Sequence, residues 1–368
     1  MSRLIDERHS RYPKYEASGS AAELGEQHGE QARLRITAFL GWLCESLKFS
    51  ERELAQRASR FRGLFKQTCP HLLEEVHGLA RGAGISENLA LACQLRGELA
   101  MQNSGGCTTF AASGIATADG STLIGQNSDM DAEMQEFAYV LHLTPDNRPE
   151  LIMWTFGGMI GYHGLNEYGV SHFANSLGGG PGWQFALSHY PLKRMILEQK
   201  NLDDVRQLIR DVPVASSGNY MLSDGRGAIA DFEVTPRGAI EIARSQTGFL
   251  THANHFLCGE HACEANWEQS LPDSHPRQFR ADAFLSERAG NLTLEDAKQL
   301  LADHYGHPVS ICRHPHTGTG DSILPASGRT VAGLIAEPQR GEFHVCSGNP
   351  CEREFVTYTL KRHAVGQP

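Results

Sequence analysis

GGCTTFAASGIATADGSTLIGQNSD, residues 105–129, decides how this chain is read. The stretch opens on two glycines and a cysteine and runs through CTTFAASGIAT. It turns at Ala118-Asp119-Gly120 and returns through STLIGQNSD. Two runs joined by an Asp-Gly turn predict a β-hairpin. A hairpin of this length brings Asp129 back beside Cys107. The character of the sequence also changes here, because no strand pattern precedes residue 107 and strands dominate after it.

Upstream, residues 20–105 read as helical. Ala22–Lys48 sets Leu24, Leu34, Phe39, Leu43 and Leu47 among charges at helical spacing. Pro70 opens HLLEEVHGLARGAG, which stops at Gly82–Gly84. Ser86 caps a third helix through ENLALACQLRGELAMQN. Downstream, EFAYVLHLT and ELIMWTFGG around the turn PDNRP form a second hairpin. GLNEYGVSHFANSL, SSGNYMLSD, GAIADFEVT, GAIEIAR and GFLTHANHF continue the strands. Helices are expected at Tyr190–Gln199, Leu202–Asp211 and Arg277–His304, before the closing strands TVAGLIAEP, EFHVCSGN and FVTYTLKR. Helices, strands, helices and strands in blocks point to an α+β layered sandwich rather than alternating βαβ units.

Composition narrows the partners. Of 368 residues, 33 are Lys or Arg and 43 are Asp or Glu, a formal charge of −10, so neither nucleic acid nor an anionic membrane is the expected partner. Apolar residues make up 40%, enough for a core and too many for wholesale disorder. No run reaches the ~18 apolar residues of a membrane span, and MSRLIDERHSRY lacks the apolar middle of a secretory signal. The nine cysteines are odd in number and form no CxxC pair, so they read as reduced thiols, and a cytoplasmic location is expected.

A cysteine that begins a strand after two glycines suits a self-cleaving nucleophile. The thiolate attacks the carbonyl of Gly106, the acyl group moves from nitrogen to sulfur, and water hydrolyses the thioester. Glycine permits the backbone geometry this needs. The freed α-amino group, with a reference pKa of about 7.7–8.0, then serves as base toward its own thiol. Asp129 is placed to hold the new ammonium by a charge-assisted hydrogen bond. The plainer readings are a buried cysteine after a Gly-Gly turn and an Asn-Ser-Asp turn cap.

GCTTF, GQNSD, GLNEYGV, SSGNYMLSD, LTHANHF and ICRHP, in this order, resemble the penicillin acyltransferase (isopenicillin-N acyltransferase) family of N-terminal-nucleophile hydrolases. The resemblance runs from about residue 20 to the last strands, and GCTT and THANHF are its most specific parts. It implies a four-layer αββα sandwich, autoproteolysis between Gly106 and Cys107, and acyl transfer or hydrolysis at amide bonds. The chain is then one structural domain made of a helical segment, 1–106, and a second segment, 107–368, that starts with the nucleophile. The resemblance places Asn254 as the oxyanion donor, a role an amide N–H fills without titrating, and Arg313 near the nucleophile. Cys312 stands where the family can carry serine, so no hydroxyl role is expected there. Substrate contacts are expected from Thr108, Asn127, Asp131 and Asn219.

Other features weigh less. His252, His255, Cys258, His261 and Cys263 crowd together, but two histidines three apart on a strand point to opposite faces, so no metal is expected. Gly178–Gly182 lacks both phosphate-loop patterns and reads as a substrate loop or a long surface turn. GxSxG and HExxH are absent. The expected partners are a small N-acyl amide and the chain's own cleaved N-terminal fragment, with a homo-oligomer of such pairs open. No cofactor is expected. Two alternatives stay open: an unprocessed Cys-His hydrolase, and a non-catalytic binding protein of the same fold. The acidic run Asp129-Met130-Asp131-Ala132-Glu133 invites a cationic acyl group if Asp131 or Glu133 faces the pocket, and is otherwise a solvated loop.

Overall fold

The computed structural model describes residues 11–100, 106–178, 180–242, 247–258, 273–315 and 328–361. Two sheets form its centre. One sheet runs, in spatial order, β1 (Lys14–Gly19), β4 (Ala138–Pro145), β5 (Leu151–Phe156), β6 (His163–Asn166), β7 (Ser171–Ser176), β8 (Gly218–Ser223), β9 (Ile229–Thr235) and β10 (Gly238–Glu241). The other runs β11 (Phe249–His252), β2 (Gly106–Ala112), β3 (Leu123–Asp131), β12 (Gly328–Glu337), β13 (Glu342–Ser347) and β14 (Phe355–Thr359). β2 and β3 of the second sheet pack on β7 and β8 of the first.

Helices cover both outer faces. α1 (Ala21–Leu47), α8 (His189–Leu197) and α9 (Leu202–Asp211) lie on the first sheet, with α4 (Pro70–Ala83) packed along α1, and α10 (Ser274–Ser286) and α11 (Leu294–Leu301) lie on the second. The result is the αββα sandwich. Because both faces of each sheet are covered, β2 and β5 are buried at every position and show no alternation of buried and exposed residues. One apolar cluster joins α1, α4 and the first sheet through residues such as Phe39, Val76, Leu141 and Trp154. A smaller one joins Phe110 and Leu123 of the second sheet to Leu285 and Leu300 of its helices.

α1 and α4 meet through glycines at helical spacing. A Cβ on Gly25 would fall 1.9 Å from Glu75 O, and one on Gly82 would fall 1.9 Å from Glu26 O. Any side chain there would force the helices apart. Ser20 and Glu23 close α1's start as a reciprocal capping box.

Several expectations need correction. A strand does precede residue 107: β1 pairs in parallel with β4 from Lys14↔Val140 to Gly19↔Pro145. KYEASG carries no strand signature because it sits at the sheet edge, mostly exposed. The third helix is broken into α5 (Glu87–Ala92) and α6 (Arg96–Ala100). The expected helix 277–304 is two helices, parted by a turn with Gly290 at φ +85° and restarted by the Thr293 cap. The link between β2 and β3 is a loop over 113–122 rather than a tight turn. Ser121, beyond the expected turn, is held by Asp119 Oδ1.

Candidate active site

The site grows from the middle strands of the second sheet. β2 pairs with β3 so that Gly106 lies opposite Asp129 and Cys107 opposite Ser128. On its other side β2 pairs with β11, with Thr109 opposite His252. Two residues further on, that register brings Asn254 level with Cys107. Asn254 Oδ1 accepts the Cys107 backbone N–H at 2.9 Å, while its Nδ2 donates to Ser176 O at 2.9 Å.

Four buried charges surround this peptide. Arg277, fully buried at the start of α10, donates through Nη1 to Cys107 O (2.5 Å) and Thr108 Oγ1 (2.9 Å). Its Nη2 donates to Asn254 Oδ1 at 2.7 Å and its Nε to Asp273 Oδ2 at 3.0 Å. Arg313 ion-pairs with Asp273 as well, and its Nε lies 3.9 Å from Asp129 Oδ2. A Cβ on Gly106 would come within 3.0 Å of the Arg313 guanidinium, so glycine there makes room for the arginine. Asp129 Oδ1 accepts from Thr330 Oγ1 at 2.7 Å. Two arginines and two aspartates are balanced in charge, which such burial requires.

Cys107 opens on a pocket between the sheets, lined also by Tyr162, Asn175, Trp183, Lys193 and Asn219. Burial, followed by the Asp129 charge, pushes the thiol up to about 11. At neutral pH the unprocessed chain therefore holds a thiol, not a thiolate. Burial also raises Asp129, against the lowering pull of Arg313 and Arg277. Across the pocket, burial brings Lys193 down to about 8 and raises Glu98 to about 7. Lys193 Nζ sits 4.2 Å from the Tyr162 ring centre and 3.4 Å from His163 Nε2, and among the described residues it makes no ion pair.

The structure brings Gly106, Cys107, Asp129, Asn254 and Arg313 together, and it places Asn219 on the pocket wall, donating to Asp231. It does not bring Asn127 there. That side chain turns away from the pocket, donating to Leu301 O and Ile311 O, because it lies on the face of β3 opposite to that of Ser128, the residue paired with Cys107. Thr108 also turns outward, to Arg277. Asp131 lies outside the pocket, 3.9 Å from Arg96 Nη2, and Glu133 is exposed. Asn254 enters chiefly as an acceptor for the Cys107 amide, leaving one Nδ2 hydrogen for an oxyanion. Trp183, just after the glycine run 178–182, lines the pocket. His252 pairs with Glu233 at 3.2 Å and His255 with Ser274 Oγ at 2.7 Å, which accounts for two members of the supposed zinc cluster. His261 and Cys263 lie outside the described residues. Sequence reading missed Arg277, Asp273, Lys193 and Glu98. The Asp273–Arg277 spacing of four, one helical turn, was the available sign.

Two central sheets, helices on both outer faces and a cysteine opening the strand beside the pocket define the N-terminal-nucleophile hydrolase type of αββα sandwich. The chain belongs to the acyl-coenzyme A:6-aminopenicillanic acid acyl-transferase family, whose model matches residues 116–351, and is thus an enzyme of acyl transfer or amide hydrolysis. It is 28% identical over 303 residues to the 40 kDa form of acyl-coenzyme A:6-aminopenicillanic-acid-acyltransferase of Emericella nidulans, covering 80% of this chain and 83% of that one. Among solved structures, conjugated bile acid hydrolase of Clostridium perfringens aligns with a TM-score of 0.47 and 14% identity over 71% of this chain and 99% of its own. Penicillin V acylase of Agrobacterium tumefaciens aligns with 0.47 and 14% over 66% and 83%. No helix among the described residues is long and apolar enough to cross a membrane.

Proposed function

We propose that the chain is an autoproteolytic N-terminal-cysteine amidohydrolase or acyltransferase, acting on small N-acyl amides through a thioester on Cys107. One observation carries the reading. Cys107 is gripped by side chains at its backbone N–H and C=O, with Arg313 against the preceding glycine, far more than strand pairing needs, while its thiol faces the pocket. In maturation the sulfur bonds to the Gly106 carbonyl carbon, the C–N bond breaks and the amine takes the proton. Water then releases the Gly106 carboxylate and restores the thiol.

After cleavage the α-amino group of Cys107 stays beside Asn254 Oδ1 and takes the proton from its own thiol. The thiolate attacks the substrate carbonyl, and the leaving amine collects that proton. Water is the simpler acyl acceptor because it needs no second binding site. The N-terminal fragment belongs to the finished enzyme: β1 completes a sheet, Glu75 and Arg194 pair at 3.0 Å with both side chains buried, and Arg96 and Glu98 line the pocket. The test is mass analysis of the 107–368 fragment quenched in acid during turnover. It should gain the mass of the acyl group, and the gain should vanish with hydroxylamine. Turnover that survives in Cys107→Ala would end the proposal.

Asn254 divides into two roles that substitution separates. Asn254→Ala should cut kcat by roughly 10²–10³ with KM little changed, the usual cost of one oxyanion donor. Asn254→Asp keeps the acceptor for the α-amine and loses the N–H. It should fall as far as alanine if the oxyanion role dominates, and a kcat within a few-fold of wild type would leave only the acceptor role.

Lys193 shifts the expected substrate charge. Glu98 and Asp129 line the pocket while Asp131 and Glu133 do not, and Lys193 is a buried cation that makes no ion pair among the described residues. It fits an anionic group on the substrate, such as the carboxylate of an amino acid released as leaving group. Protonated below about 8 and neutral above, it should favour a carboxylate-bearing substrate over its uncharged amide analogue at pH 7 and lose that preference by pH 9. Lys193→Met should abolish the preference at both. Equal kcat/KM for the two substrates at pH 7 would refute the assignment.

A further inference from the structure

We infer that His304, Cys312, His314 and Cys351 form a structural zinc site outside the pocket of Cys107. The four donor atoms all lie within 4.8 Å of one another. The two sulfurs are 3.6 Å apart and the two imidazole Nε2 atoms 3.0 Å apart. His314 Nε2 stands 3.2 Å from Cys351 Sγ and 3.8 Å from Cys312 Sγ. Zinc held at about 2.3 Å from sulfur and about 2.0–2.1 Å from nitrogen has tetrahedral edges of about 3.8 Å (S–S), 3.6 Å (S–N) and 3.4 Å (N–N). These four separations match those edges to within about 0.4 Å, and the two from His304 to the sulfurs lie within 4.8 Å.

The surroundings are also those of a metal centre. The other ring nitrogen of His314, Nδ1, faces Glu352 Oε1 at 3.4 Å, the carboxylate contact that fixes the tautomer and leaves Nε2 free to ligate. Asn349 Nδ2 donates to Cys312 Sγ at 3.4 Å, a hydrogen bond that suits a thiolate better than a thiol. Cys312 is buried while His304 and Cys351 are exposed, so an ion enters from solvent. On binding, the two thiols release their protons, and two thiolates, two neutral imidazoles and Zn²⁺ sum to zero charge. Two sulfurs and two nitrogens in tetrahedral array select zinc over magnesium or calcium. With four protein ligands no position remains for water, which makes the site structural.

The ligands explain what the metal does. Three come from the segment after α11 and one from the loop between β13 and β14, so zinc clips the two loops together. Arg313 lies between ligands Cys312 and His314. Its backbone is held in the same clip, with Asn349 Nδ2 donating to Arg313 O at 2.7 Å, and its guanidinium reaches Asp273 and Gly106. The spacing, Cys312-x-His314 with Cys351 far downstream, matches no finger pattern, which is why the sequence does not announce it.

The experiment is metal analysis of the full chain purified under reducing conditions without chelator, followed by addition of equimolar Co²⁺ to metal-stripped protein. About one zinc per chain and a thiolate-to-cobalt charge-transfer band are expected. Cys351→Ser and His304→Ala, both at exposed positions, should each lose the zinc and weaken or shift the band while keeping the wild-type circular-dichroism spectrum. Three results would overturn the site. One is zinc below about 0.1 per chain together with no cobalt band. Another is zinc retained in full by Cys351→Ser. The third is a mass deficit of about 2 Da in the unreduced protein that maps to a Cys312–Cys351 disulfide.

Discussion

Cys107→Ala is expected to leave one 40.4 kDa chain with no measurable amide turnover. Wild type should separate, in denaturant, into residues 1–106 and 107–368, roughly 12 and 29 kDa by share of length. The loss of turnover, about 10⁴-fold or more, follows because a single residue supplies both the nucleophile and, once its amine is free, the base. Cys107→Ser separates maturation from thiol chemistry. A hydroxyl performs the same shift more slowly, so this variant should cleave over a longer time. Wild-type enzyme that is active with the Gly106–Cys107 bond intact would remove autoproteolysis from the account.

The depth of the thiol makes this prediction sharper than sequence alone does. Held up at about 11 by burial and by Asp129, the sulfur of the unprocessed chain is almost wholly protonated at pH 7. The proposed cleavage would replace a neutral amide nitrogen, 2.9 Å from Asn254 Oδ1, by an amine at the same place. On the proposed reading, a precursor would be latent by its protonation state, since Cys107 already lines the pocket. The alternative of a Cys-His hydrolase fares worse: among the described residues no histidine hydrogen-bonds the thiol. His189, the pocket's own histidine, is engaged with Tyr220 OH and Ser216, and burial lowers it to about 4.

What the sequence made legible follows a physical rule. Cys107, Asp129 and Asn254 were readable because strand registers bring together residues whose spacing a hairpin sets, and short motifs mark them. Arg277, Asp273, Lys193 and Glu98 were not, since each comes from a different part of a helix or its start, and a buried Arg or Lys looks like a surface one in a linear sequence. Asn127 and Thr108 face away from the pocket, and a strand in a linear sequence does not say which of its two faces lines a site. β1 escaped because its pairing energy comes from β4, far along the chain, and not from its own six residues. His304, Cys312, His314 and Cys351 converge only through a loop closure that no local pattern encodes.

Arg277 is where the structure goes furthest beyond the sequence, and its removal should rank next in effect. Its guanidinium spans Cys107 O, Thr108 Oγ1, Asn254 Oδ1 and Asp273 in one fork, which no lysine reproduces. Arg277→Lys should fold, mature slowly and lose about 10² or more in kcat, because Asn254 then loses the donor that fixes its orientation. Arg277→Met strips one cation from a balanced buried set and should cost about 3–5 kcal/mol, a large share of a domain's stability. Stability and chemistry can be pulled apart. Adding Asp273→Asn to Arg277→Met leaves Arg313 with Asp129 as a balanced pair, so unfolding resistance should largely return. Cleavage and turnover should not return, because the donors to Cys107 O and Asn254 Oδ1 are still missing. Thermal unfolding and single-turnover rates on the same double variant decide the matter. If turnover recovers together with stability, Arg277 is a counter-ion for Asp273 and nothing more.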